Sequence, residues 1–157
     1  MLWGIDLTTF SQVPADTRRA VVRIVATEMT KVSSAMAKVH GDDVIEYFVF
    51  TALWVLNSGH LIGDPRYVQL KSIPPDALRK PASLDELRLA LPMPDDILRT
   101  YVQRLLDKGL VEEVSGKLVV PTAVFTQPEM LQGTAELYES VVKMVTSLRS
   151  AGFSFGD

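Results

Sequence analysis

Arg99, Thr100, Gln103 and Arg104 form a short row of hydrogen-bonding side chains on one side of what the sequence reads as a helix, while Leu98, Val102 and Leu105 fall at i, i+4 and i+7 on the other. These residue types make no covalent chemistry. They hold acceptors, and an arginine can bind guanine O6 and N7 with two parallel N–H groups or grip a phosphate. Asp96 and Ile97 open the same segment and Lys108 closes it. Nothing else in the chain offers a catalytic constellation: there is no Gly-rich phosphate loop, H-E-x-x-H, nucleophile elbow or Cys/His cluster. The absence of cysteine removes disulfides, thiolate metal sites and cysteine nucleophiles together. His40 before Gly41 reads as a helix-terminal residue favoured by the dipole, and His60 beside Gly59 as a loop residue, so a metal site from His60 and Asp64 is not expected. The acid pairs Asp42-Asp43, Asp95-Asp96 and Glu112-Glu113 sit at element boundaries or on a hairpin, where capping and solvation account for them. With no nucleophile and base in reach of each other, an enzyme is not expected, and no metal or cofactor is implied.

The elements that must position this row are legible on either side. Ser83 followed by Glu86 is a capping box that opens a short helix, SLDELRLAL, ended by Pro92. Pro94 suits a first helical position, and Asp95 and Asp96 suit the positive end of the dipole, so a second helix is expected over 94–108, stopped by Gly109. VEEV, the turn Ser115-Gly116 and KLVVPT then read as a hairpin over 111–122, with Lys117 at its tip.

Helix, proline turn, helix and hairpin in this order resemble the winged helix-turn-helix. Leu87, Leu91 and Met93 look like the apolar positions of its first helix and turn, and Leu105-x-x-x-Gly109-Leu110-Val111 looks like the junction from recognition helix into wing. The resemblance implies that the second helix lies in the major groove of double-stranded DNA, with contacts from Asp96, Ile97, Arg99, Thr100, Gln103, Arg104 and Lys108, and Lys117 from the wing. This chain departs from the family at two points. Asp95 and Asp96 replace small hydroxyl residues, and Ile97 replaces a polar one; it could touch a thymine methyl or turn the face toward protein.

The flanks extend the likeness. Val22, Val25, Met29, Val32, Met36 and Val39 keep an a/d seam through a helix between Pro14 and Val39, with Gly41 at its end. Leu131, Thr134, Tyr138, Val141, Val145 and Leu148 repeat that spacing in a carboxy-terminal helix opened by Pro128, widened by Leu137 and Met144 and ended by Gly152, with Phe153 and Phe155 as apolar pins. Seamed helices on both sides resemble regulators of the multiple-antibiotic-resistance (MarR) type, which implies a homodimer. Hydrophobic content of 47% and mean hydropathy of +0.16 agree with apolar surface covered by a second copy. Trp3, Ile5, Leu7 and Phe10 read as a strapped-down arm or short strand.

Asp42 and Asp43 begin VIEYFVFTALWVLNSGHLIG, a helix apolar on nearly every face. Glu46 and Asn57 speak against a membrane span, so a central helix buried by its neighbours is expected. Tyr47, Phe50 and Trp54 make it the aromatic centre, and the family resemblance implies a small aromatic effector bound near them. Between 57 and 82 glycines and prolines forbid a long element, with a single turn near Asp64 to Leu70; this connector reads as a cover over the core, or, through Arg66, Lys71, Arg79 and Lys80, as a contact to the DNA backbone.

The expected architecture is therefore mainly α with a small β-hairpin: an arm and dimerisation helix over 1–41, a winged-helix domain over 42–125, and a dimerisation helix over 126–157. A net charge of −3 gives no global basic field, so DNA binding must rest on a local patch. The opening MLWGIDLTTF lacks a basic start and apolar run, which points to the cytoplasm. The alternative is a winged helix that docks protein and has no specific DNA target. Operator, effector, and repression or activation are not encoded in these patterns.

Overall fold

The structure is a computed structural model and describes residues 16–154. The arm residues Trp3, Ile5, Leu7 and Phe10, and the pin Phe155, lie outside the described residues. The protein is mainly helical, with one two-stranded antiparallel hairpin. The order is α1 (Arg18–Ala37), α2 (Val44–Ser58), α3 (Leu84–Ala90), α4 (Asp95–Asp107), β1 (Glu112–Val114), β2 (Lys117–Val119), α5 (Thr122–Phe125) and α6 (Pro128–Ser150), with short 3-10 turns between. The chain divides into two compact units, Ser33–Glu136 and a second formed by Met1–Val32 with Leu137–Asp157. These boundaries fall inside α1 and α6.

Local chemistry fixes most elements of the 33–136 unit. Asp43 caps α2 by accepting from the amides of Ile45 and Glu46, and Gly41 takes the left-handed conformation that ends the preceding turn. Ser83 and Glu86 form the reciprocal capping box of α3. Pro94 stands one position outside α4, as its N-cap, and not as its first residue. At the other end Gly109 is left-handed, and the amide of Leu110 closes back on the Leu105 carbonyl. The hairpin pairs Val114 with Lys117 across Ser115 and Gly116, both at positive φ, which matches the twist of the strands.

The core lies among α2, α3, α4 and the hairpin: Val49, Phe50, Leu53, Leu87, Leu98, Val102, Leu105, Val111, Leu118 and Val120 are all buried in one cluster. Ala82, just before α3, exchanges two backbone hydrogen bonds with Leu118, so the hairpin is tied to the start of the helix pair. Asn57, fully buried in α2, completes the tie. Its amide donates to the carbonyls of Lys80 and Leu118, and its oxygen accepts from the amide of Val120. Gly133 in α6 lets that helix close on the 3-10 turn Lys38–His40, since a Cβ there would stand 3.3 Å from Val39.

The central helix is not buried all round. Glu46, Val49, Phe50, Leu53 and Asn57 form one inward stripe, while Ile45, Phe48 and Val55 are exposed. Residues 44–61 are apolar and long enough to cross a membrane by composition, but both polar residues of the stripe are turned into the fold and satisfied there. The connector contains three 3-10 turns, Gly59–Leu61, Pro65–Tyr67 and Asp76–Leu78, where one turn was expected.

In the other unit the two helical segments bury little. Among its described residues Leu148 alone is buried, and Val22, Met29 and Tyr138, all positions of the seams, are 66%, 58% and 67% exposed.

Candidate functional site

Leu98, Val102 and Leu105 anchor α4 in the core, which leaves Asp96, Ile97, Arg99, Thr100, Gln103, Arg104 and Lys108 on its open side. Lys117 is exposed on the hairpin. The expected residues of α4 are thus exposed, and the burial pattern of the helix is the reason. What the sequence does not reveal is how far each of them is already engaged.

Asp95 receives two guanidinium groups: Arg99 Nε donates to its Oδ2 at 2.7 Å, and Arg88 donates to its Oδ1. Arg99 and then Arg88 hold this carboxyl below the usual carboxylate range. Arg88 also pairs with Asp85. Arg104 reaches across to Asp43 on the cap of α2 at 3.2 Å and lies over the Tyr101 ring, its Cζ 4.7 Å from the centroid. The Thr100 hydroxyl donates to the Asp96 carbonyl, and the Gln103 amide to Asp107 at 2.8 Å. Arg88 and Arg99 are therefore brought together at Asp95 while Arg104 pairs with Asp43, all as ion pairs whose positive charge is balanced locally. Exposed pairs of this kind contribute little to stability and exchange partners readily.

Lys108 stands apart. Its ammonium donates to both oxygens of Glu46, at 2.9 and 2.8 Å, and Glu46 is buried. The third member is His40, also buried, whose Nδ1 lies 3.1 Å from Glu46 Oε1. Burial pushes the His40 imidazole below its ordinary pKa, and its hydrogen bond to Glu46 offsets this in part. Lys108 is thus the counter-ion of a buried carboxylate. An acid inside VIEYFVF is the signal that such a partner must exist, because an isolated buried carboxylate is too costly; the sequence does not say which residue supplies it.

The connector's basic residues divide in the same way. Arg66 pairs with Asp64 at 2.6 Å and pulls that carboxyl down to about 2, while Arg79 is buried and packs over Phe125. The contact to a DNA backbone read from the connector is therefore closed to Arg79, Arg66 is engaged by Asp64, and Lys71 and Lys80 stand exposed. Of the aromatic residues expected near an effector, Trp54 borders a cleft with Phe125, the two rings 5.6 Å apart. Phe50 is buried between His40 and Phe125, and Tyr47 lies against His40 and Phe48. Among the described residues no group of three or more His, Cys, Asp or Glu is placed to hold a metal ion.

Comparisons with protein families, with characterised proteins and with solved structures find no match.

Proposed function

We propose that this chain is a sequence-specific DNA-binding regulator of the winged helix-turn-helix class, acting in the cytoplasm as a homodimer without catalytic activity. In this reading α4 enters the major groove and the β1–β2 hairpin is the wing. The observation that carries it is the division of α4 into a buried row, Leu98, Val102 and Leu105, and an open row, Arg99, Thr100, Gln103 and Arg104. Two further observations support it. The Ala82–Leu118 bridge joins helix pair and hairpin into one body. Exposed Val22, Met29 and Tyr138 give the outer helices apolar surface that a second copy would cover.

The ion pairs shape how such binding works. Phosphates must displace Asp95 from Arg88 and Arg99, and Asp43 from Arg104, so affinity is modest and falls steeply with salt. Selection from random duplexes at about 0.1 M salt, near physiological strength, is expected to enrich a palindrome with half-sites about 34–36 Å apart. Arg99→Ala then weakens binding to the selected duplex by about 10-fold or more, the scale of one bidentate base contact. Asp95→Asn frees Arg99, while Arg88 keeps its pair with Asp85, and tightens binding. Failure to enrich any sequence, for both the natural chain and Asp95→Asn, would overturn the proposal.

A second reading is favoured by the same ion pairs: a face with its cations balanced and with Ile97 38% exposed is suited to docking protein. On that reading neither chain enriches a duplex, and Asp95→Asn gains no DNA affinity.

A further inference from the structure

Helix α2 buries one stripe and leaves another, just as regular, in the open. Ile45, Phe48, Ala52 and Val55 fall at spacings of 3, 4 and 3, and Gly59 and Ile62 carry the same spacing on through the 3-10 turn Gly59–Leu61. Ile45, Phe48, Val55 and Ile62 are 38%, 43%, 56% and 91% exposed, and Ala52 is half-buried. Glu46 is the one Asp, Glu, Lys or Arg between 44 and 62, and it is buried, so the open stripe offers nothing to a charged partner. A continuous apolar face of this kind marks an interaction surface.

Gly59 narrows the choice of partner. Its backbone is right-handed, φ −58° and ψ −28°, a conformation any residue adopts, and a Cβ there would meet no side chain but Val55, whose Cγ1 would lie 3.7 Å away in ordinary contact. Glycine is destabilising in a helix relative to alanine, and nothing inside the chain requires it here. The nearness of Val55 also places this notch on the open stripe. A second α2 laid antiparallel about the midpoint of Ala52 and Val55 sets Ala52 against Val55, Phe48 against Gly59 and Ile45 against Ile62. Both inner layers then match a large residue with a small one, as close packing demands. A parallel pair would set Phe48 on Phe48 and Gly59 on Gly59, overfilling one layer and emptying the other. The antiparallel pair also lays opposite helix dipoles side by side.

We propose that the open stripe of α2 is a self-docking surface on which a second copy of this chain lays its own α2 antiparallel, Phe48 of each seated over Gly59 of the other. The contact is separate from the outer-helix seams and does not depend on DNA binding. Along about 25 Å of helix it covers less than about 1,200 Å² in total, the class of weak, transient contacts. It is therefore open in dilute solution and forms between copies held close together. The chain has no cysteine, so introduced ones report on it cleanly. A tagged full-length Ala52→Cys chain is mixed at high concentration with an untagged Val55→Cys chain under mild oxidation. The mixed disulfide is expected to form about 10-fold faster than either self-disulfide, since capture needs Cα atoms within about 7 Å. Phe48→Glu, added to both chains, is expected to slow it about 10-fold, as a charge stranded in an apolar contact requires. Gly59→Leu adds apolar surface but fills the notch, so it is expected to slow capture too, in a chain whose circular dichroism is unchanged. Met29→Glu with Tyr138→Glu is expected to leave the rate as it is. Self-disulfides as fast as the mixed one, a rate that survives Phe48→Glu, or a rate that rises with Gly59→Leu would each overturn the proposal. So would its loss in the Met29→Glu, Tyr138→Glu chain, which would assign the contact to the outer helices.

Discussion

The unit spanning 33–136 and the unit formed by the outer segments of α1 and α6 use apolar residues in opposite ways. In the first, apolar side chains from three helices and a hairpin meet in one cluster, and the polar residues caught inside it, Glu46 and Asn57, are hydrogen-bonded at both ends of α2. In the second, the apolar residues are as regularly spaced, yet Val22, Met29 and Tyr138 stay open. Periodicity alone therefore marks a face that wants to be covered. Whether the cover comes from the same chain depends on long-range geometry, and only the first unit finds it internally.

The largest effect is expected at Asn57. Asn57→Ala takes the hydrogen bond from the buried Val120 amide and from the part-buried Lys80 carbonyl, and opens a small cavity. It should cost about 2–4 kcal/mol in chemical denaturation, one to two per stranded backbone group. A loss below about 1 kcal/mol would mean that water replaces the side chain and that the first unit is looser than its core implies.

A comparable effect in a different currency belongs to the outer helices. Met29→Glu and Tyr138→Glu put charge on the open seams and are expected to turn a dimer into a monomer in sedimentation experiments, with the denaturation midpoint of the 33–136 unit nearly unchanged. A charge buried unpaired at an interface costs several kcal/mol. If the natural chain sediments as a monomer at every concentration tried, the seams have some other cover and the contrast between the two units fails.

Much of this contrast is legible in the sequence because it is local. The Ser83–Glu86 capping box, the Ser115-Gly116 turn, the stop at Gly109 and both seams each depend on residues within one or two turns. The open row on α4 follows from the same 3.6-residue arithmetic. Asn57 and Glu46 are different: besides Lys80 and His40, their partners Leu118, Val120 and Lys108 lie about sixty residues away, so the sequence shows two polar residues in an apolar helix and little of what satisfies them. The same distance hides the Asp43–Arg104 pair, the burial of Arg79, and the fact that Phe48 and Val55 are left outside.

Lys108 tests whether a residue on the open face belongs to the core's ledger. Lys108→Ala leaves the buried Glu46 carboxylate with His40 alone, and because the lysine is 48% exposed the cost is discounted to about 1–2 kcal/mol. A variant as stable as the natural chain would return Lys108 to the candidate DNA-contacting set.

His40 makes the interior of the first unit sensitive to acid, and the direction follows from its surroundings. Glu46, Lys108 and Asp43 are the charged groups that act on it, and burial is the largest influence, lowering its pKa below 6.5 in the folded chain. The unfolded chain therefore takes up a proton that the folded chain refuses. The contribution is fully present above about 6.5 and is lost as pH falls from there toward the folded value. Denaturation at pH 7.5 and pH 5.5, values about one unit either side of that ordinary pKa, should show a smaller difference for His40→Gln than for the natural chain. Equal differences would mean that the imidazole takes up its proton as readily in the folded chain as in the unfolded one, and a larger difference for His40→Gln that it carries its proton inside the fold, in a charged triad with Glu46 and Lys108.

The smallest effect lies at the hairpin tip, where Ser115 holds a left-handed conformation, φ 51°, that a serine does not favour. Asparagine tolerates that region and precedes Gly116 as the preferred first residue of such a turn. Ser115→Asn is expected to stabilise the chain by about 0.5 kcal/mol, a fraction of the penalty for a left-handed residue. The change leaves the α4 face untouched, so it also separates the hairpin as a structural element from the hairpin as a wing: stability should rise while affinity for a selected duplex stays the same. A rise in stability accompanied by a loss of affinity would place the turn itself, and not only Lys117 beside it, against the nucleic acid.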